Sequence, residues 1–124
     1  MFGSAGERDL EKRRQQGEIA SNYCDIIVLA DEDPRGEEPG TILEEIAIGC
    51  RGKVRGKELF LIPDRREAIL HAFRTAQTGD TVALLGKGHE KSIIYRDRSL
   101  EWNETETAVS CLEELGFISA PNRG

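Results

Sequence analysis

Short apolar runs alternate with helix-patterned segments along this chain, and that alternation limits the possible folds more than any other feature. Residues 25–30 (DIIVLA), 58–62 (ELFLI) and 81–86 (TVALLG) are apolar runs of strand length, as expected of strands buried on both faces. Residues 9–22 (DLEKRRQQGEIASN) are charged and helix-prone, with Leu10, Ile19 and Ala20 as the apolar positions. Residues 41–50 (TILEEIAIGC) put Ile42, Leu43, Ile46 and Ala47 on one helical face, and Thr41 with Glu44 has capping-box spacing. Asp64 and Glu67 open a further helix, striped by Ile69, Leu70 and Phe73, with Gly79 as its stop. Residues 92–96 (SIIYR) and 99–102 read as a strand pair turning through Asp97-Arg98. Asn103 and Glu106 start a last helix that ends at Gly116. This order predicts an α/β three-layer sandwich, its sheet mostly parallel with an antiparallel edge. The turn GSAG has only Met1-Phe2 before it, where a doubly wound fold normally has a full strand. The first strand is therefore expected to be truncated, exposing the edge of its neighbours.

At 124 residues the chain fits one domain, expected to span 1–124, and is long enough to bury a core without staples. Lys and Arg number 17 against 23 Asp and Glu, a net charge of −6. No basic block stands out, so nucleic acid is not expected as a partner. No run approaches a membrane span, and MFGSAGERDLEKRR has no apolar signal region, so the expected location is the cytoplasm with no membrane partner. Cys24, Cys50 and Cys111 match no zinc spacing, and their odd count argues against a disulfide framework. With only His71 and His89, a histidine-rich metal site is excluded and no metal is expected.

Three polar clusters follow strands or strand remnants. They are Gly3 to Asp9 with Arg8, then Asp31-Glu32-Asp33-Pro34-Arg35, then Gly86-Lys87-Gly88-His89-Glu90. Open parallel sheets bind ligands along the carboxyl ends of their strands. Arg8 and Arg35 offer bidentate forks for a carboxylate or phosphate. Asp33 and Glu90 suit an ammonium group, and Gly86 and Gly88 allow close approach to the backbone. The combination suits an amino acid with more than one charged end. GKGHE is not a P-loop, and GSAG lacks the full dinucleotide-binding fingerprint.

FGSAGERDLEKR, DEDPRGEEP, PDRREAI and GKGHEKSIIY occur in the order found near the C-terminus of the Mur ligases, and the chain resembles that family from Phe2 to about Phe117. The likeness is to the branch of the UDP-N-acetylmuramoyl-tripeptide synthetases. It implies a Rossmann-like C-terminal domain that closes over the active site and binds the incoming amino acid. It also implies a ligase of peptidoglycan precursor synthesis that joins a diamino acid to UDP-MurNAc-L-Ala-D-Glu. In the family, ATP and magnesium are bound mainly by a central domain, which these residues lack. That domain would have to be supplied in cis or in trans. By motif, Arg8 would contact the amino-acid carboxylate. Asp33 and Arg35 would face the distal end of the diamino acid, Gly86 would contribute backbone and Glu90 would meet the distal ammonium, with Glu32, Lys87 and His89 in support. The family's D-N-P-R segment is Glu32-Asp33-Pro34-Arg35 here. Arg35 favours a ligand with a distal carboxylate, hence meso-diaminopimelate, while Asp33 adds negative charge and makes lysine more acceptable. Gln15-Gln16 replaces an apolar pair and is expected to weaken packing of the first helix. No catalytic residue is expected in this chain, which by itself would lack ligase and ATPase activity. It would be a fragment of a longer ligase or the product of a truncated or split gene. Two alternatives remain open: a stand-alone binding module of the same fold, and a domain of a related folylpolyglutamate or cyanophycin-type ligase.

Overall fold

In a computed structural model, which describes residues 1–7 and 9–119, the order is α1 (Leu10–Tyr23), β1 (Ile27–Leu29), α2 (Pro39–Gly49), β2 (Leu59–Leu61), α3 (Arg65–Thr75), β3 (Ser92–Ile94), β4 (Ser99–Glu101) and α4 (Glu104–Glu114). β1 and β2 pair in parallel, with Ile27 opposite Leu59 and Leu29 opposite Leu61. β3 and β4 form the expected antiparallel pair, Ser92 opposite Glu101. The turn between them is closed by the Tyr95 amide donating to the Arg98 carbonyl at 2.8 Å. The alternation of side chains along β1 sorts the layers. Ile27 and Leu29 pack with Ile42, Leu43, Ile46 and Ala20 on the side of α1 and α2. Val28 and Ala30 pack with Ala68 and Ala72 of α3 on the other side. Ile69, Leu70 and Cys111 join α3 to α4. The expected three-layer α/β arrangement is thus present.

The run at 81–86 forms no regular strand. It lies extended beside the N-terminus: the Met1 ammonium donates to the Ala83 carbonyl at 2.8 Å, and the Leu85 amide donates to the Met1 carbonyl at 3.0 Å. On the other side, the Phe2 amide donates to the Val28 carbonyl and the Ala30 amide to the Phe2 carbonyl. Met1-Phe2 therefore sits between β1 and residues 83–85. Two residues offer too few bonds on either side to make a ladder. Beside it lies an open groove of about 650 Å³ with Ile19, Tyr23, Val28, Ala72 and Val82 among its walls.

The capping residues act as expected at two helices. Asp64 accepts from the Glu67 amide at 2.9 Å and Asn103 from the Glu106 amide at 2.9 Å. At α2 the expectation fails: the helix starts earlier, at Pro39, with no side-chain cap from Glu38, so Thr41 and Glu44 lie inside it. Proline at the first position needs no hydrogen-bond partner for its nitrogen and has the helical φ already set. α3 ends at Thr75, before Gly79. Helix α1 also packs differently from the expectation. Leu10 and Ile19 are exposed, and Gly17 and Gly49 bring α1 and α2 together instead. A Cβ on Gly17 would overlap the Ile46 carbonyl oxygen, and one on Gly49 the Arg14 carbonyl oxygen. The crossing is set by missing side chains, so Gln15-Gln16 bears little on it. Cys50 and Cys111 are buried free thiols and Cys24 is exposed. No helix among the described residues is long and apolar enough to cross a membrane.

Candidate functional site

The parallel strands bring the polar clusters to one edge. Beyond the end of β1, the turn at residues 3–6 lies against residues 30–34. The Gly6 amide donates to the Asp33 carbonyl at 2.7 Å, and a Cβ on Gly6 would collide with the Pro34 carbonyl. Only glycine permits this approach. Arg13 of α1 locks the turn from below. Its fully buried guanidinium bonds Glu37 at 2.7 Å, Glu45 at 2.8 Å and the Ala5 carbonyl at 3.2 Å. The Glu7 amide also donates to Glu37. Arg8 lies outside the described residues.

The Asp31 to Arg35 segment is held from the hairpin side. The Tyr95 hydroxyl donates to Asp31 Oδ2 at 2.8 Å, and the Ile94 amide donates to Asp33 Oδ1 at 2.9 Å. Arg35 pairs with Tyr95 as an isolated bridge, its amide donating to the Ile94 carbonyl at 2.9 Å. Arg35 has φ of +57°, a left-handed conformation uncommon for a residue with a side chain. Among the described residues its guanidinium has no hydrogen-bond or ion-pair partner, and Nε is buried without one. A buried donor left in this state is a place for an acceptor from outside.

Lys87 joins the two loops. Its side chain is fully buried, and Nζ lies 2.7 Å from Asp33 Oδ1 and 2.9 Å from Glu90 Oε2. Glu90 itself is exposed, and its second oxygen has no hydrogen-bond partner among the described residues. Gly86 has φ of +107°, and the Glu32 carboxylate lies 3.0 Å from where its Cβ would be. Burial raises the pKa of Glu32 above the ordinary carboxylate value, against the opposing pull of Lys87. His89 is exposed in the same loop and bonds nothing among the described residues. Asp33, Arg35, Gly86, Glu90, Glu32 and Lys87 therefore gather at one edge, while His89 stands apart.

Two features of this edge escaped the sequence reading. One is the pair Asp31–Tyr95. Burial pushes the Asp31 carboxyl up to about 6, aided by Asp64, while the Tyr95 bond and Arg65 pull it down. Burial and the Asp31 carboxylate hold the Tyr95 phenol protonated well above its ordinary range. The other is Arg65. It is buried against Glu104 at 2.5 Å and also donates to the Asp31 carbonyl at 2.9 Å and the Leu85 carbonyl at 3.0 Å. It thereby ties α3 and α4 to both loops.

This edge, with its glycine turn, its E-D-P-R segment and its GKGHE loop, can be set against known proteins. Residues 1–88 match the model of the Mur ligase, glutamate ligase domain. The chain belongs to the Mur ligase family. It is 58% identical over 112 residues to a UDP-N-acetylmuramyl-tripeptide synthetase of Treponema denticola, covering 90% of this chain and 21% of that protein. It is 43% identical over 112 residues to a UDP-N-acetylmuramoyl-L-alanyl-D-glutamate–2,6-diaminopimelate ligase of Syntrophomonas wolfei, covering 90% of this chain and 23% of that protein. A solved structure of a UDP-N-acetylmuramoyl-L-alanyl-D-glutamate–2,6-diaminopimelate ligase superposes with a TM-score of 0.80 at 30% identity, over 92% of this chain and 23% of that one. The chain thus carries the C-terminal domain of a Mur ligase and spans between a fifth and a quarter of these relatives.

Proposed function

We propose that this domain binds the incoming diamino acid for a ligase that adds it to UDP-MurNAc-L-Ala-D-Glu, and that the diamino acid is meso-diaminopimelate. The observation that carries this reading is the Arg35 guanidinium. Its backbone is set by a left-handed φ and a bridge to the hairpin, and among the described residues its side chain has no acidic partner, in the same segment as Asp33, which Lys87 joins to Glu90. A planar fork of this kind suits a carboxylate, and the second oxygen of Glu90 suits an ammonium. Together they match the distal end of diaminopimelate, which carries both groups. Lysine would leave Arg35 without a partner, at the cost of an unpaired buried donor. Arg8 would take the proximal carboxylate. The GKGHE loop together with the E-D-P-R segment speaks against a related ligase of the folylpolyglutamate or cyanophycin type.

The described residues form no metal site of their own, and the family resemblance puts the nucleotide and magnesium mainly in a central domain. No three Asp, Glu, His or Cys side chains come together as a metal site among the described residues. At the start of α1 the Glu11 amide is already taken by the Asp9 carboxylate. No step is therefore assigned to ATP in this domain. Its residues bind and orient the amino acid, and the nucleotide and the UDP-linked substrate would be held by a central domain in cis or in trans, in the cytoplasm. The test is thermal unfolding with and without meso-diaminopimelate. The ligand should raise the melting temperature of the wild type but not of Arg35→Ala. Arg55→Ala, which alters an exposed pair with Glu44, should retain the rise. An equal rise in Arg35→Ala and wild type would refute the assignment.

A further inference from the structure

We infer that Lys87 is a specificity-determining residue: by neutralising Asp33 from within the protein, it makes the site choose a zwitterionic distal end over a purely cationic one. The inference rests on the reading that Arg35 and Glu90 meet the distal end of a diamino acid.

The argument is one of charge and access. Lys87 cannot reach a ligand as a surface lysine would, because its side chain is fully buried and its ammonium is shared between Asp33 and Glu90. Asp33 is only 7% exposed, and the oxygen nearest Lys87 also accepts the Ile94 amide. Without the lysine, Asp33, Glu90 and the half-buried Glu32 would present three acidic groups, with Arg35 the cation set against them in the same segment. A site of that sign attracts a lone ammonium. With the lysine present, Lys87 and Arg35 offset the two acids that Lys87 bonds, Asp33 and Glu90, and only Glu32 is left over. Such a nearly balanced set favours a ligand end that carries one ammonium and one carboxylate. Specificity is a difference between two affinities, and a buried charge next to the site changes that difference without touching either ligand.

The test uses this chain, isotope-labelled, titrated to millimolar concentrations with meso-diaminopimelate and separately with L-lysine. The amide shifts of Ile94 and Arg35 report binding. The quantity read is the ratio of the two dissociation constants. The wild type should favour diaminopimelate. Lys87→Met should move the ratio towards lysine by about tenfold or more, the effect of about one unit charge a few ångströms away in a partly screened site. Loss of a buried cation can also unfold the domain, so the deciding variant is Lys87→Met/Asp33→Asn. It leaves no unpaired charge buried and should return the ratio to within about threefold of wild type, which is under 1 kcal/mol. If Asp33 instead acts directly on the ligand and Lys87 is merely structural, the double variant will stay displaced against lysine by about tenfold or more. That result overturns the inference, as does an unchanged ratio in a folded Lys87→Met. A wild type that prefers lysine overturns it while leaving a diamino-acid site in place. A wild type that binds neither ligand overturns the underlying reading as well.

Discussion

Replacing Asp31 by asparagine should change how stability depends on pH, in a direction fixed by where the carboxyl sits. Asp31 is 4% exposed, receives the Tyr95 hydroxyl at 2.8 Å on one oxygen, and leaves the other buried without a partner. Burial holds its pKa up at about 6 in the folded state, with Asp64 and Glu38 adding to the rise and Arg65 opposing it. In the unfolded chain the value is about 3.9. Between those two values the folded state holds a proton that the unfolded state has lost. The contribution to stability is therefore fully present below about pH 4 and disappears as the pH rises through about 6. A separation of about 2 units corresponds to about 3 kcal/mol. Asparagine keeps an oxygen for the Tyr95 hydroxyl and does not titrate. The stability of Asp31→Asn minus that of wild type should therefore rise by about 3 kcal/mol between about pH 4 and pH 8. Urea unfolding of both proteins at five pH values measures this difference, and titrations shared by the two proteins cancel. Parallel curves, or a difference that falls with pH, would refute the reasoning.

Other predictions concern the packing around this edge. Gly17→Ala places a methyl group on the Ile46 carbonyl. Overpacking of about 1–3 kcal/mol should outweigh the gain of about 1 kcal/mol in helix propensity, and the urea midpoint should fall with an unchanged slope. Glu104→Gln leaves the buried Arg65 guanidinium, held at 2.5 Å in the wild type, without its charge partner. It should cost about 3–5 kcal/mol in equilibrium unfolding. A thiol reagent should modify Cys24 at once and the buried Cys50 and Cys111 only as the protein unfolds, since burial also raises the pKa of both thiols. Mass spectrometry of the modified native protein checks the order.

The layer order was readable because β1 is apolar at every position and α2 and α3 carry clean stripes. The edge chemistry was readable because strands end in loops rich in charge and glycine. The sequence reading went astray where the physics was not apolar. Leu10 and Ile19 drew attention in α1, yet the helix is seated by Gly17 and by the buried charge of Arg13. A glycine in an otherwise helical segment is a packing signal that could have pointed there. Arg13, Arg65 and Lys87 carry no sequence mark of burial, because the acids Glu37, Glu104 and Asp33 that meet them are between 24 and 54 residues away, and the nearby Lys87–Glu90 spacing is equally that of a surface pair. Residues 81–86 have the composition of a strand, but a strand exists only where a neighbour supplies bonds, and here that neighbour is Met1-Phe2.

A crystal structure of this chain grown with meso-diaminopimelate tests the central claim most directly. The account predicts the distal carboxylate paired with the Arg35 guanidinium and the distal ammonium on Glu90, with Lys87 still bonded to Asp33. Diaminopimelate bound elsewhere, with Arg35 making no contact to it, would contradict the account.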